Sequence, residues 1–232
     1  MVDWLAIGVS WAIGASTPVV YHWLKYYATV SRPFRRFWGK LVTPSLSIVT
    51  SAEEAEPKIR SQIFDATAVA DLEAFLKRLF PGKSRRYTCN ESVIGMLNEN
   101  VLLVGGPIAN ELTRDLFKKQ TQLAYKFDGN DILNTATGTK TAPEFDGSDI
   151  VKDYGMITRC SNTFSEEKEA LVVAGCYGWG THAALTALLN SSYLKQLVKK
   201  KSPHFQVLVS VAVRKKLPVN PSLDLNSFVK IP

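Results

Sequence analysis

The chain has 232 residues, a formal net charge of +7 and a pI near 9.3. That length suits one sizeable α/β domain with an appendage, or two small domains, and the basic excess points to anionic partners such as phosphates, nucleic acid or a lipid surface. Three widely spaced cysteines, Cys89, Cys160 and Cys176, form no CxxC or Cys/His set, which argues against zinc and a disulfide framework and fits a reducing compartment.

Residues Trp4 to Leu24 contain no Asp, Glu, Lys or Arg, and their number is what a helix needs to cross a hydrocarbon core. Trp4, Tyr21 and Trp23 lie near the ends, where amphipathic rings prefer the interface. Pro18 kinks a helix, which membrane spans tolerate. A cleaved signal peptide needs a basic start, and this start is acidic. A buried helix of the soluble domain is the other reading, and Ser10, Ser16, Thr17 and His22 favour it. The charge pattern predicts one transmembrane helix over 1–24, with the N-terminus outside and the remainder in the cytoplasm, because Lys25, Arg32, Arg35, Arg36 and Lys40 follow it. Gly8, Ala12 and Ser16 share a face, a pattern that lets spans associate as a homo-oligomer.

Residues 25–43 read as a basic neck with Phe34, Phe37 and Trp38 among the cations, lying on anionic membrane lipids. Nucleic-acid binding is the alternative for such a patch. The neighbouring apolar stretch favours lipid, and no nucleic-acid polymer is expected.

Residues 44–232 read as the cytoplasmic domain. Ser45–Thr50 is a strand and Ser51–Ile59 an acidic loop. Asp65–Phe80 is an amphipathic helix with Val69, Leu72, Phe75, Leu76 and Leu79 as its core stripe, stopped by Pro81-Gly82. Lys83–Arg86 reads as a basic turn and Val93–Leu97 as a short element. Val101–Val104 is a buried strand that runs into Gly105-Gly106-Pro107 and then a helix to Lys119, which Asn110 can cap. Leu123–Phe127 is a further strand. Asn130–Ile150 is polar and reads as a long loop or an irregular hairpin. Asp128, Asp131, Asp146, Asp149 and Asp153 lack EF-hand spacing, so they read as a solvated acidic cluster rather than a metal site. Tyr154–Arg159 is a strand and Ser161-Asn162 a turn.

Leu171–Ala174 is the second strand of the same grammar. Gly175, Gly178 and Gly180 follow, with Thr181 as N-cap of an Ala/Leu helix to Leu189. Tyr193–Lys201 is a basic helix end, Phe205–Val213 a strong strand, and the tail with Pro218, Pro221 and Pro232 runs along the surface. These elements predict an α/β fold, a Rossmann-like open and mainly parallel sheet flanked by helices.

Glycine lets backbone approach a ligand, and a helix N-terminus offers N–H groups to an anion. The two glycine turns therefore predict one crevice for a small anionic ligand, a nucleotide above all. Its expected residues are Gly105, Gly106, Asn110, Arg159, Asn162, Gly175, Tyr177, Gly178, Trp179, Gly180, Thr181 and His182. Tyr177 and Trp179 can stack on a flat ligand or pack on a neighbouring subunit. His182 can donate as neutral imidazole. The loop is neither a P-loop, lacking its Lys-Ser/Thr, nor a dinucleotide fingerprint. Purely architectural turns are the competing reading, and a nucleotide-processing enzyme using His182 or a loop aspartate is another. With no nucleophile elbow, HExxH or clustered His/Cys/carboxylate set, no catalytic residue, metal or cofactor is implied.

Leu103-Val104-Gly105-Gly106-Pro107-x-x-Asn110-x-x-Thr113, and Ala170–Gly175 with Gly180-Thr181-x-Ala183-Ala184, resemble a Rossmann-like domain of archaeal surface-layer proteins. They are also similar to uncharacterised bacterial domains that carry GGPxxN and AGxxxxGTxAA in this order. The resemblance covers roughly residues 100 to 190 and implies an α/β fold without a defined activity. The layout, one span and then a cytoplasmic Rossmann-like domain, is similar to membrane effectors of bacterial antiviral defence. Those sense nucleotide second messengers, so this similarity implies a sensor.

Overall fold

The computed structural model describes residues 25, 31–50, 59–88 and 98–232. Its central sheet is mixed. Strands β1 (Leu46–Thr50), β2 (Ser84–Thr88), β3 (Asn100–Val104) and β9 (Glu169–Gly175) run parallel, in the spatial order β2-β1-β3-β9. The sheet then continues antiparallel through β8 (Asp149–Ser161), β10 (Phe205–Arg214) and β11 (Leu217–Lys230). The expected α/β fold, with a parallel central sheet flanked by helices, is therefore present, and antiparallel strands extend it on one side. The extension arises because the segment before β9 returns as an adjacent antiparallel strand, with Gly155 opposite Gly175 and Arg159 opposite Leu171.

The parallel strands are apolar throughout because both faces are covered. Along β3, Leu102 and Val104 face one layer while Val101 and Leu103 face the other. The first layer holds helices α1 (Arg32–Trp38), α2 (Ile59–Leu79), α4 (Gly178–Leu189) and α5 (Ser191–Lys199). The second holds α3 (Glu111–Lys119) and a small antiparallel sheet of β4 (Tyr125–Asp128), β5 (Asp131–Asn134) and β6 (Lys140–Thr141). Of the two expectations for 130–150, a long loop or an irregular hairpin, the structure shows antiparallel pairing. The segment forms most of this small sheet, then β7 (Glu144–Asp146), which pairs with β8. Buried Gln206 ties the small sheet down. Its amide donates to the Tyr125 carbonyl at 2.9 Å and to Thr158 Oγ1 at 3.1 Å, and accepts from the Tyr125 N–H at 2.9 Å.

Two expectations about the chain ends change. The aromatic residues of the basic segment do not lie at the surface. Phe34, Phe37 and Trp38 are buried on the inner side of α1, with Leu41 and Val42 just beyond it. Arg32, Arg35, Arg36 and Lys40 are exposed on the outer side. The spacing is that of an amphipathic helix, so residues 31–43 belong to the domain's core. The proline-containing tail is an edge strand, where missing N–H groups are tolerated. The expected span, Trp4–Leu24, lies outside the described residues. Among the described residues no helix is long and apolar enough to cross a membrane.

Helix α4 lies against β8 and β9 without side chains between the backbones. A Cβ at Gly155 would meet the Gly180 carbonyl, one at Gly180 the Tyr154 carbonyl, and one at Gly175 the Thr181 N–H. Gly155→Ala and Gly180→Ala should each therefore cost about 3 kcal/mol or more of unfolding free energy by urea denaturation. Gly138 has φ +71° but open space around it. Gly138→Ala should cost only about 1 kcal/mol, from backbone strain alone.

Candidate functional site

Strands β3 and β9 are neighbours, and both end at the same edge of the sheet. Val104 pairs with Val173, and the Gly105 N–H donates to the Val173 carbonyl at 2.9 Å. Gly105 needs its φ of +106° for the chain to turn away. A Cβ on Gly106 would sit 3.3 Å from the Gly175 carbonyl, so the two glycine turns touch. After β3 the chain passes to the second layer as α3; after β9 it passes to the first as α4. Adjacent parallel strands whose helices leave to opposite faces create the crevice used for ligands in open α/β sheets.

Ten of the twelve expected residues gather at this edge, but several are committed to the fold. Asn110 is fully buried. Its oxygen accepts from the Leu112 and Thr113 N–H groups at 3.1 and 3.2 Å, capping α3 as expected. Its amide donates to the carbonyls of Val104 and Val49 at 3.0 and 3.3 Å, which ties the ends of β3 and β1 together. Trp179, Gly180 and Thr181 are buried, so Trp179 offers no exposed ring for stacking. Tyr177, Gly178 and His182 are half-buried at the start of α4. The Tyr177 hydroxyl accepts from the Asn130 amide at 3.1 Å. Its ring meets Phe145 edge-on, with centroids 6.0 Å apart. Phe145 is 52% exposed, and nearby Ile108 in the first glycine turn is 72% exposed. Neither Phe145 nor Asn130 stood out in the sequence, because both lie in the segment read as a loop or irregular hairpin.

Arg159 and Asn162 are not part of the crevice. Along β8, Gly155 pairs with Gly175 at the crevice edge, and Arg159 lies four residues further, about 13 Å away at strand rise. Arg159 is buried and pairs with Glu169, its Nε donating to the carboxylate at 2.7 Å, while Nη1 donates to the Phe37 carbonyl at 3.0 Å. It fastens α1 to the opposite edge of the sheet. Asn162 donates to the Glu99 carbonyl and accepts from the Phe164 N–H, both at 3.0 Å, so it shapes a turn.

The cap of α4 is also different from the expected Thr181. The first turn begins at Tyr177, and the side chain that accepts its N–H groups is Asp153 of β8. Asp153 Oδ2 accepts from the Gly180 N–H at 2.6 Å, and Oδ1 from the Tyr154 N–H at 2.8 Å. Burial pushes its carboxyl up to about 6, against the backbone N–H groups of Gly180, Tyr154 and Tyr177, which favour the charged form. Asp153 was grouped in the sequence with the acidic loop. Nothing in its immediate neighbours distinguishes it from Asp146 or Asp149, which are exposed.

The helix N-termini at the crevice are thus occupied by the protein's own oxygens, and the rim carries charges of both signs. Glu144, Asp128 and Asp131 line the small sheet and β7, with Lys152 bonded to Glu144 at 2.9 Å and Lys140 to Asp128 at 2.6 Å. Burial holds the thiols of Cys160 and Cys176 well above their ordinary range, with nearby carboxylates adding to it, so neither is a thiolate at neutral pH. Among the described residues no three His, Cys, Asp or Glu side chains group closely enough to hold a metal ion. The arrangement suits a flat ligand held by backbone and aromatic contacts better than a phosphate held by helix dipoles.

Because the folded carboxyl of Asp153 titrates near 6 and an ordinary one at 3.8, folding takes up a proton between those values. Its contribution to stability is fully present below the lower value and is lost as pH rises through the upper one, by about 3 kcal/mol in all. Urea unfolding of Asp153→Asn across pH 3.5 to 7 should lack that component. The gap between variant and wild type should therefore change by about that amount over the interval. No family model matches the chain, and no curated protein is similar to it.

Proposed function

We propose that the chain is a ligand-binding sensor, with its ligand seated in the crevice between the glycine turns of β3 and β9. The observation that carries this reading is the touching pair Gly106 and Gly175 at a point where successive helices leave to opposite faces. The ligand class is a nucleotide, in keeping with the layout of nucleotide second-messenger effectors. Its base lies against Tyr177 and Phe145, and its phosphates point away from Asp153. Stacking on such rings tolerates any base and contributes about 1–3 kcal/mol per base. The Trp4–Leu24 stretch anchors the chain as a single span, and ligand binding changes how the spans pack in a homo-oligomer. A role in bacterial antiviral defence follows from the same layout.

The architectural reading of the glycines has its own support. Gly155, Gly175 and Gly180 are required by the close seating of α4, with or without a ligand. Gly105 is also required by the turn, through its φ of +106°, whereas a Cβ on Gly106 would meet the Gly175 carbonyl at 3.3 Å, tight but short of the clashes at Gly155, Gly175 and Gly180. Gly106 is therefore the glycine at which the two readings differ most.

Thermal-shift titration of the full chain with mono-, di- and cyclic nucleotides, and with the matching nucleosides, tests the proposal. At least one nucleotide should raise the transition temperature, and its nucleoside should retain much of the effect. Tyr177→Ala and Phe145→Ala should each weaken binding roughly tenfold or more, and Tyr177→Phe much less. A flat response to the whole panel would remove the nucleotide reading.

A further inference from the structure

One end of the fold gathers cations from three segments of the chain. The parallel strands begin where β1 and β2 begin, and the Leu46 N–H bonds the Lys83 carbonyl there at 2.8 Å. Helix α1 covers that end of the first layer. It packs on α5, its Phe34 ring lies 4.3 Å from Phe75 of α2, and Arg35 sits 5.7 Å over Phe80 just past the end of α2. Its exposed side presents Arg32, Arg36 and Lys40. The last turn of α2 adds exposed Lys77 and Arg78. The end of α5 adds Lys199 and Lys201. Three segments far apart in sequence thus build one cationic surface. Of the acids near it, Glu169 is paired with Arg159 and Glu99 accepts from Ser47 at 2.9 Å; Glu166 and Glu167 lie on the β8–β9 turn.

We infer that this composite surface, and not a linear neck, docks on anionic lipid headgroups, with the amino edge of the sheet facing the bilayer and the glycine crevice facing away. The inference deepens the membrane part of the proposed function and rests on that reading for its choice of partner. Three observations carry it. The aromatic residues among these cations, Phe34, Phe37 and Trp38, are buried, so among the described residues α1 offers no exposed ring on which nucleic-acid bases would stack. Seven residues, 25 to 31, separate the charge-free stretch ending at Leu24 from α1, a tether of at most about 25 Å. The opposite edge carries charge of both signs, with Glu144, Asp128 and Asp149 each paired to a lysine and Arg214, Lys215 and Lys216 on the β10–β11 turn, so the cationic surface at the amino edge is the one that faces a negative membrane.

The test uses the full chain carrying Cys89→Ser and one added cysteine, reconstituted in phosphatidylcholine vesicles with or without 30 mol% phosphatidylserine (about the anionic share that gives a strong surface potential). A dye at Pro203→Cys reports the amino edge, and one at Ser148→Cys reports the crevice edge. A headgroup-linked quencher in the outer leaflet should quench the first dye more when phosphatidylserine is present. Salt should reverse that gain. Lys199→Gln with Lys201→Gln and, separately, Lys77→Gln with Arg78→Gln should each weaken it severalfold, and the second dye should stay unquenched. No phosphatidylserine dependence at position 203, equal quenching at both positions, or displacement by single-stranded RNA in preference to lipid would overturn the docking surface. Retention in phosphatidylcholine after alkaline washing reports the span separately. A chain that floats only with phosphatidylserine and washes off in salt keeps the surface and removes the span. A chain retained by both lipids without a change in quenching does the reverse.

Discussion

The seating of α4 on β8 is the constraint from which the rest of the site follows. Gly155 and Gly180 leave no side chain between strand and helix, so the helix backbone meets the strand backbone directly. At that distance the first turn of α4 lies within reach of a side chain from the strand. Asp153 fills that place and accepts from the Gly180 N–H. A carboxylate bonded to the N-terminal turn complements the helix dipole. The cost is desolvation, which shows as the raised pKa of its carboxyl. The same seating fixes the chain between Gly175 and Gly178, and with it the position of the Tyr177 ring beside the crevice.

The molecule has two unlike edges as a result of how its connections run. At the carboxyl edge of the parallel strands lie the glycine turns, the β7–β8 hairpin and the acidic side chains of the small sheet. At the amino edge lie the C-terminal ends of α2 and α5, together with α1. Helix C-termini favour cations, so Lys77, Arg78 and Lys199 stand where the backbone dipoles support them. Arg159 is the cation that does not reach this surface. It is turned inward to Glu169 and the Phe37 carbonyl, which makes α1 a fixed part of the edge.

The parallel half of the sheet was legible in the sequence because strands covered on both faces are unbroken apolar runs, and Val101–Val104 and Leu171–Ala174 are such runs. Glycines directly after them marked the turns, and Asn110 announced its helix by local chemistry alone. The small sheet was legible only as an irregular hairpin beside the strand Leu123–Phe127, without β5 and β6. Its strands are short and carry Asp, Lys, Asn and Thr at most positions, since only Tyr125 and Ile132 point fully inward. The aromatic residues of α1 were misplaced because cations between them suggested a surface, whereas the helical period sends the two kinds to opposite sides. Arg159 and Asn162 were assigned to the crevice because they precede β9 closely in sequence. An antiparallel strand reverses that logic: each residue toward the turn moves about 3.3 Å away from the crevice edge. Asp153 could not be singled out, because its burial is created by a helix that starts 25 residues later.

Helix α4 also joins the two edges. It starts at Gly178, just after Tyr177 beside the crevice, and runs 12 residues, roughly 18 Å, to Leu189, with Asn190 as its C-cap. Asn190 closes α4 and opens α5, its side chain accepting from the Ser192 and Tyr193 N–H groups at 2.9 and 3.3 Å. Helix α5 in turn packs on α1, from which the chain leads back to its N-terminal segment. The crevice wall, α4, α5 and α1 are therefore one packed run from edge to edge. The glycine contact with β8 sets the height of α4 on the sheet, because the two backbones already meet and the first turn has no room to move toward the strand. The same contact fixes where Asn190 and the start of α5 stand, so the geometry of the crevice wall and that of the cationic edge share one origin. It depends on the absence of side chains at Gly155 and Gly180, not on any residue that touches a ligand.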